Sequence, residues 1–263
     1  MRPFACICGF NLGSMRELGF QIVDGHLHIG GPPERRGSVE DILALMGEHH
    51  IERAVAFPAP GLRPDNAGLA MTIARYPDRF VGFAWINPHH GQEGLDELER
   101  MVRDHGFRGI KFQPILHAFQ PMSAMVHALM RKAADLGIAA LFHSGHAPYS
   151  LPWEIGEVAE LFPTVPVIMD HMGLQWMGYV DAAIRVAKRL PNVILGTTGM
   201  AFHSKIRQAV REVGADRVVF GSDAPMVHPG PEILRVQAAE LTPDEERMVL
   251  RDNMLRLIKL SVR

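Results

Sequence analysis

The 263-residue chain is 47% hydrophobic and 21% charged, with a formal net charge of −2 at pH 7. These values describe an ordinary globular protein that is long enough to bury one large core. The charge balance lacks the basic surplus that typifies partners such as nucleic acid or an anionic membrane. Because no run of 18 apolar residues is present, no bilayer-spanning helix is expected.

Residues 1–19 are interpreted as an N-terminal extension ahead of the domain, either disordered or the result of a mis-assigned start, since Met15 offers a second initiation site. No small-residue cleavage site follows the short apolar patch, so a secretory signal is not expected. The two cysteines of the chain, Cys6 and Cys8, lie in this stretch without a second ligand pair that could complete a zinc site. The lack of cysteine elsewhere is typical of a cytoplasmic protein.

The remaining chain alternates short apolar runs with segments of helical period, which predicts a parallel sheet covered by helices. The apolar runs end at intervals of 26–31 residues, near His28, Phe57, Trp85, Phe112, His143, His171, Thr197 and Asp223. Eight nearly equal units favour an α/β fold of the (β/α)8 or TIM barrel type over an open doubly wound sheet, which has no reason to repeat eight times. No linker interrupts residues 20–263, so they are expected to form a single domain.

The predicted helices begin and end at recognisable signals. Ser38 is expected to cap a helix that ends at Glu48, and Pro121 is expected to open a helix that stops at Gly137. The other predicted helices cover residues 65–75, 93–105, 152–161, 179–190, 203–213, 231–240 and 243–260.

Ligand-capable residues end several of the apolar runs, and in a barrel of this type the carboxyl ends of the strands carry the active site. His26 and His28 close the first run, and alternate residues of a strand share a face. His143, His171 and Asp223 end three later runs. Two neighbouring histidines alone are weak evidence for a metal, but five such residues at one end of the barrel predict a metal site.

Five segments resemble successive motifs of the amidohydrolase superfamily: Asp24-Gly25-His26-Leu27-His28, Gly109-Ile110-Lys111-Phe112, Phe142-His143-Ser144-Gly145, Asp170-His171-Met172-Gly173 and Phe220-Gly221-Ser222-Asp223-Ala224-Pro225. The resemblance extends over roughly residues 21–260. The most similar branch is the amidohydrolase-related (amidohydrolase 2) group, which includes aminocarboxymuconate-semialdehyde decarboxylase, resorcylate-type decarboxylases and lactonases. These motifs are specific for the superfamily, but they leave the reaction open.

The resemblance implies that His26, His28, His143 and Asp223 bind a divalent metal, with one Zn²⁺ expected from the ligand types and Mn²⁺ as the alternative. Zinc would lower the pKa of a bound water from 15.7 to roughly 7. Asp223 would then act as the general base and later as the acid that protonates the leaving group. His171 would polarise a carbonyl oxygen or guide the attacking water.

Lys111 has three interpretations. It could be carboxylated and bridge two metals, it could bind a substrate carboxylate as an ammonium, or it could pair with a carboxylate of the barrel. The related branch is usually described with one metal, which favours the unmodified ammonium.

Further residues near the predicted mouth are candidates for substrate binding together with Lys111. Packing within the loops is the alternative for each aromatic residue among them. The candidates are Gln113, Trp85, His117, His146 and Tyr149.

The resulting prediction is a metal-dependent hydrolase that acts by activated water on a lactone, ester or amide bond of a small carboxylated molecule. Two alternatives stay open: a metal-dependent non-oxidative decarboxylase on the same site, and a catalytically silent binding barrel. The expected partner is a small-molecule substrate. A homo-oligomer is usual among relatives, with Trp176 and Met177 as a suggested contact.

Overall fold

The computed structural model describes residues 16–31, 38–174 and 176–259. The predictions for residues 1–15, including Cys6 and Cys8, lie outside the described residues. Residues 16–19, which the sequence assigned to the extension, contact the domain: Arg16 pairs with Glu246 at 2.5 Å, and Leu18 packs against the core.

Parallel strands in sequence order form the centre of the molecule, and the described residues contain eight of them. This arrangement is the predicted (β/α)8 barrel, in a single domain. Most strands end within one residue of the predicted positions. The strands are β1 (Ile22–Ile29), β2 (Ile51–Pro58), β3 (Phe80–Trp85), β4 (Gly109–Phe112), β5 (Ala139–His143), β6 (Val167–Asp170), β7 (Val193–Gly196) and β8 (Val218–Val219).

Helices follow the strands. They are α1 (Val39–Glu48), α2 (Asn66–Arg75), α3 (Gln92–His105), α4 (Pro114–His117), α5 (Ala124–Leu136), α6 (Pro152–Leu161), α7 (Met177–Arg189), α8 (His203–Val213), α9 (Pro229–Gln237), α10 (Pro243–Arg247) and α11 (Asn253–Leu257). Ser38 caps α1 in a reciprocal capping box with Asp41, as expected from the sequence. No helix in the described part of the chain has both the length and the apolar character needed to cross a bilayer.

Several helix boundaries differ from the prediction; for example, the helix predicted at residues 231–240 is Pro229–Gln237. The helix expected to open at Pro121 begins at Ala124, with Ser123 as its N-cap residue. The last predicted helix, 243–260, is interrupted by a π-helical stretch at Met248–Asp252. Within this stretch Phe220 N–H donates to Val249 O at 2.9 Å, so the irregular turn is joined to the segment after β8.

The barrel interior is a separate apolar cluster from the layer between strands and helices. Strand residues such as Val23, Phe83 and Leu141 belong to it, together with Met254 and Ile258 at the end of the chain. The interior is therefore a packed core.

The contact between β1 and β8 closes the barrel irregularly. β8 ends at Val219, whereas the sequence predicts its end near Asp223. Beyond it, Gly25 N–H donates to Phe220 O and Asp223 N–H donates to His26 O, each at 2.9 Å. Asp223 has φ 64°, a left-handed conformation that a strand cannot contain. The strand therefore ends early, and this seam is held by individual hydrogen bonds.

Asp24 adds a side-chain link across the same seam. Its carboxylate accepts hydrogen bonds from Ser222 N–H at 2.9 Å and from Ser222 Oγ at 2.5 Å. Complete burial raises the pKa of Asp24 to about 6, although these hydrogen bonds act in the opposite direction. Because Asp223 directly follows Ser222, the hydrogen bonds between Ser222 and Asp24 position Asp223 beside β1.

Gly25 lies where the seam is narrowest, and we expect Gly25→Ala to lower the free energy of unfolding by about 1–3 kcal/mol. A Cβ at this position would lie 2.6 Å from Phe220 O and 2.5 Å from Met254 Cε. Gly47→Ala is the matched control, because nothing lies within 4 Å of its position in α1 and alanine favours a helix over glycine. Urea denaturation measures both variants. Equal stability of the two alanine variants would contradict the prediction.

Candidate metal centre

Three of the predicted metal ligands converge at the carboxyl ends of β1 and β8. His26 Nε2 and His28 Nε2 are 3.0 Å apart, and Asp223 Oδ1 lies 3.2 Å from the first and 3.3 Å from the second. Both histidines are buried, whereas the side chain of Asp223 is 20% exposed. We call these three residues the donor triad.

Hydrogen bonds to the far sides of both rings determine which nitrogens face the triad. His28 Nδ1 donates to Pro58 O at 3.0 Å, and His26 Nδ1 donates to Asp170 Oδ2 at 2.5 Å. The Nε2 atoms are then left with lone pairs that point toward Asp223 Oδ1. Asp223 Oδ1 is itself buried and has no hydrogen-bond partner in the described part of the chain. Three electron-pair donors this close repel one another unless a positive charge, either a proton on His26 or a metal ion, lies among them.

The size of the donor triad fits a metal ion. Adjacent ligands about 2.0–2.2 Å from a divalent ion lie roughly 2.8–3.1 Å apart in octahedral geometry and roughly 3.3–3.6 Å apart in tetrahedral geometry. The three separations in the triad are 3.0, 3.2 and 3.3 Å. Two imidazoles and one carboxylate on one face leave further coordination positions open. The triad can therefore hold a divalent metal.

The pKa shifts agree with a site that attracts positive charge. Burial and Lys111 lower the pKa of His26, but the carboxylates of Asp170 and Asp223 outweigh them and raise it. Burial lowers the pKa of His28 to about 4, although Asp223 acts in the opposite direction. Burial would raise the pKa of Asp223, but both histidines lower it. Asp223 is thus ionised and His28 neutral near pH 7, which are the states that metal ligation requires, whereas the raised pKa of His26 means that this ring must release a proton when a metal binds.

Asp170 is the residue of this site that the sequence interpretation missed. Its Oδ2 accepts the hydrogen bond from His26 and lies 3.2 Å from His171 Nε2 and 3.6 Å from Lys111 Nζ. Its Oδ1 accepts from Thr198 Oγ1 at 2.7 Å. Burial would raise the pKa of Asp170, but these neighbouring cationic groups hold it well below its usual value. A carboxylate in this position fixes the tautomer and orientation of a ligating imidazole.

A signal for Asp170 is present in the sequence. It ends the apolar run of β6, and it lies in register with His143 of β5. The prediction instead assigns a catalytic role to the next residue, His171, which lies beyond the strand with φ 63°. His171 Nδ1 lies 3.0 Å from Thr198 O, so its ring is held between that carbonyl and Asp170. Burial lowers the pKa of His171, although Asp170 acts in the opposite direction.

Lys111 is 1% exposed and lies beneath the donor triad. Its Nζ is 3.6 Å from Asp170 Oδ2 and 4.9 Å from the centre of the Phe57 ring. This geometry matches the third interpretation, an ion pair with a carboxylate of the barrel. At that distance Nζ makes no hydrogen bond within the described residues, and it is buried. Burial lowers the pKa of Lys111, with Asp170 acting in the opposite direction.

His143 lies beside the donor triad without joining it. Its Nε2 is 2.6 Å from His146 Nδ1, and the two rings stack with 3° between their planes. Its ring centre is 4.4 Å from that of His171. Among the described residues it is absent from the groups whose ligand atoms converge within 4.8 Å. Burial lowers the pKa of His143 well below its usual value. Its metal-ligand role therefore stays a prediction.

The other substrate-binding candidates lie around the same end of the barrel. Trp85 is buried with its ring 5.6 Å from that of His28, and His117 Nε2 lies 2.9 Å from Gly61 O. Tyr149 is half-buried and His146 exposed in the loop after β5. Among these candidates, three have a buried polar atom without a hydrogen-bond partner in the described chain: Trp85 Nε1, His117 Nδ1 and Gln113 Oε1. Such atoms are costly when left unpaired, which favours contact with a bound molecule or water.

Comparisons with known proteins find several whose sequence or fold is similar to that of this chain. Gamma-resorcylate decarboxylase from Polaromonas sp. (strain JS666) is 26% identical over 260 residues, which cover 73% of this chain and 80% of that protein. The crystal structure of 2,6-dihydroxybenzoate decarboxylase from Rhizobium matches with a TM-score of 0.73 at 20% identity, covering 91% of this chain and 99% of that chain. Dihydroxybenzoic acid decarboxylase from Polaromonas sp. JS666 was solved with bound manganese and the inhibitor 2-nitroresorcinol. It also matches with a TM-score of 0.73 at 18% identity, and the match covers 91% of this chain and 97% of that chain.

The family assignment depends on a separate match. An amidohydrolase family model matches residues 23–260, a range that contains the donor triad, Lys111 and Asp170. The resemblance read from the five sequence motifs is thereby confirmed. Because the match covers nearly the whole barrel, this chain belongs to the amidohydrolase family.

Proposed function

We propose that this protein is a metal-dependent non-oxidative decarboxylase of a hydroxylated aromatic carboxylic acid. Hydrolysis, the main prediction from the sequence, has less support because the relatives described above are named decarboxylases. The observation that carries the proposal is the buried donor triad with the unbonded Lys111 ammonium close to it. A cation and an ammonium side by side suit a substrate that carries both a carboxylate and a hydroxyl group.

The donor triad of His26, His28 and Asp223 would hold one divalent metal. Manganese, the alternative in the sequence prediction, has the support of the bound manganese in the Polaromonas decarboxylase structure. When bound, the metal supplies a positive charge that attracts substrate oxygen atoms and stabilises negative charge on them. Asp170, through its hydrogen bond to His26 Nδ1, keeps Nε2 of that ring directed at the metal position.

The proposed reaction breaks the bond between the ring carbon and the carboxylate. Carbon dioxide leaves, the electron pair stays with the ring, and the ring carbon gains a proton, so no oxidant or reductant is needed. Asp223 is the proposed proton carrier, because its side chain is 20% exposed whereas that of His171 is 6% exposed. The ionised carboxylate accepts the proton of the substrate hydroxyl and returns it to the ring carbon. The phenolate product then takes a proton from solvent.

Product analysis tests this proposal directly. Protein loaded with Mn²⁺ should release carbon dioxide and resorcinol from 2,6-dihydroxybenzoate or release carbon dioxide from a related hydroxybenzoate. Metal-replete protein that turns over lactones, esters or amides, without carbon dioxide release from any hydroxybenzoate, would favour hydrolysis. Protein that binds no divalent metal and has no turnover in either screen would favour the catalytically silent barrel.

Lys111→Met tests the proposed substrate contact. Loss of a charge-assisted hydrogen bond worth about 1.5–3 kcal/mol should raise KM for the aromatic acid roughly 10–100-fold. Metal content should stay at the wild-type level because Lys111 is not one of the donor triad. Lys132→Met is the matched control, since Lys132 pairs with Glu99 away from the site. Steady-state kinetics and elemental analysis measure both variants, and an unchanged KM would contradict the assignment of Lys111.

A further inference from the structure

A second group of metal-ligating side chains lies outside the donor triad. Glu48 and His49 are at the carboxyl end of α1, and His228 is the N-cap residue of α9. One ligand atom from each of the three lies within 4.8 Å of the others. The two imidazole rings meet edge to face, with centres 4.8 Å apart and planes at 87°.

His49 is the unusual member of this group. It is only 6% exposed, and neither of its ring nitrogens has a hydrogen-bond partner in the described part of the chain. Each buried polar atom left without a partner costs about 1–3 kcal/mol. An electron-pair acceptor that binds one of these nitrogens would therefore be favoured.

The neighbours of His49 offer further ligand atoms to such an acceptor. His228 Nδ1 accepts only a long hydrogen bond of 3.3 Å from Gly230 N–H, and Glu48 is exposed and can turn its carboxylate inward. Burial and His228 lower the pKa of His49, with Glu48 acting in the opposite direction, so the ring is in its neutral, ligating form near pH 7. A cation at this place also lies at the carboxyl end of α1, where the helix dipole is negative.

A cavity beside Glu48 and His49 is also lined by one arginine, and the guanidinium of that arginine is already paired. Arg16 lines a space of about 230 Å³ together with Glu48 and His49. Its guanidinium pairs with Glu246 at 2.5 Å, so it does not neutralise Glu48. The cavity can supply water as a further ligand, because a single water needs far less space.

We propose that Glu48, His49 and His228 form a second, structural site for a divalent transition-metal ion that prefers nitrogen ligands, with zinc as the best match. Two imidazoles, one carboxylate and one water give the ligand set of a tetrahedral zinc site. The site joins α1, which follows β1, to α9, which follows β8. The ion would therefore connect the two helices that flank the irregular seam of the barrel.

Metal counting on the holoprotein tests the second site. Protein whose donor triad has been loaded with Mn²⁺ is dialysed against Zn²⁺, and total metal per chain is measured for the wild type and for His228→Ala. The wild type should hold one more ion per chain than the variant, and Zn²⁺ should raise its Tm more, since binding to the folded state stabilises it. His105→Ala, an exposed histidine of α3, is the matched control and should equal the wild type.

Glu48→Gln keeps the test decisive if His228→Ala folds poorly, because Glu48 is exposed. This variant should bind the extra Zn²⁺ about tenfold or more weakly, a loss of about 1.4 kcal/mol. Equal metal content and equal Zn²⁺ affinity in the wild type and in whichever of the two variants folds would overturn the proposal.

Discussion

Replacing Asp223 by asparagine is expected to reduce the metal content below one ion per chain and to lower kcat/KM for carbon dioxide release by more than about 100-fold. Substitution of a residue that only orients a metal ligand typically lowers metal affinity or activity about 10–100-fold, so loss of a direct ligand should lower them further. Asparagine preserves the shape of the side chain, but it removes the negative charge that faces His26 and His28 at 3.2 and 3.3 Å. It also removes the proposed proton carrier.

The Asp223 variant can be distinguished from a protein that has merely unfolded. The side chain of Asp223 is 20% exposed and asparagine has the same shape, so the metal-free variant should still fold and melt cooperatively, although the lost attraction to His26 lowers its Tm. Asp104→Asn, an exposed residue of α3, is the matched control and should retain both metal and activity. Undiminished metal content and carbon dioxide release in Asp223→Asn would refute the assignment of the donor triad.

Asp170→Asn is expected to damage both stability and metal binding. Asp170 is 2% exposed and faces His26, His171 and Lys111, so the substitution leaves the buried Lys111 ammonium without a counter-ion. Breaking a buried ion pair from one side costs about 3–5 kcal/mol. Loss of the carboxylate behind His26 should in addition weaken metal affinity about 10–100-fold. Urea unfolding of the metal-free protein and equilibrium dialysis measure the two effects separately.

Two further variants show which part of the effect comes from charge. Thr198→Val removes one hydrogen bond to Asp170 Oδ1 and should cost only about 1 kcal/mol. The double variant Asp170→Asn/Lys111→Met removes both charges, so it should recover part of the lost stability. If Asp170→Asn unfolds at the urea concentration of the wild type, the buried charges do not stabilise the barrel in the way described.

The barrel and most of its strands could be predicted because their signals are local. An apolar run of four to eight residues followed by a segment of helical period is visible in any window of the chain. The ends of β3, β4 and β5 at Trp85, Phe112 and His143 agree with the structure. The helix 152–161 was also predicted at its observed bounds. Each of these features depends on neighbouring residues alone.

Errors arose where distant parts of the chain meet. β8 ends at Val219 rather than near Asp223, because contacts with β1 draw the following residues out of the ladder. The final helix is interrupted at Met248–Asp252, where Val249 O accepts the Phe220 N–H. Neither effect leaves a trace in the local hydrophobic pattern, since both depend on how the barrel closes.

The amino-acid sequence alone was enough to predict the eight-unit barrel and the family. It also indicated the end of the strands at which the active site is expected. It also placed His26, His28 and Asp223 among the residues expected at that end, because each closes an apolar run. The structure brings these three side chains together, and their role as metal ligands stays a prediction. Asp170 required the folded chain, since its bond to His26 joins residues 144 positions apart. The engagement of His143 with His146 required it too, because ring orientation and tautomer follow from contacts in space, and spacing along the chain does not encode them.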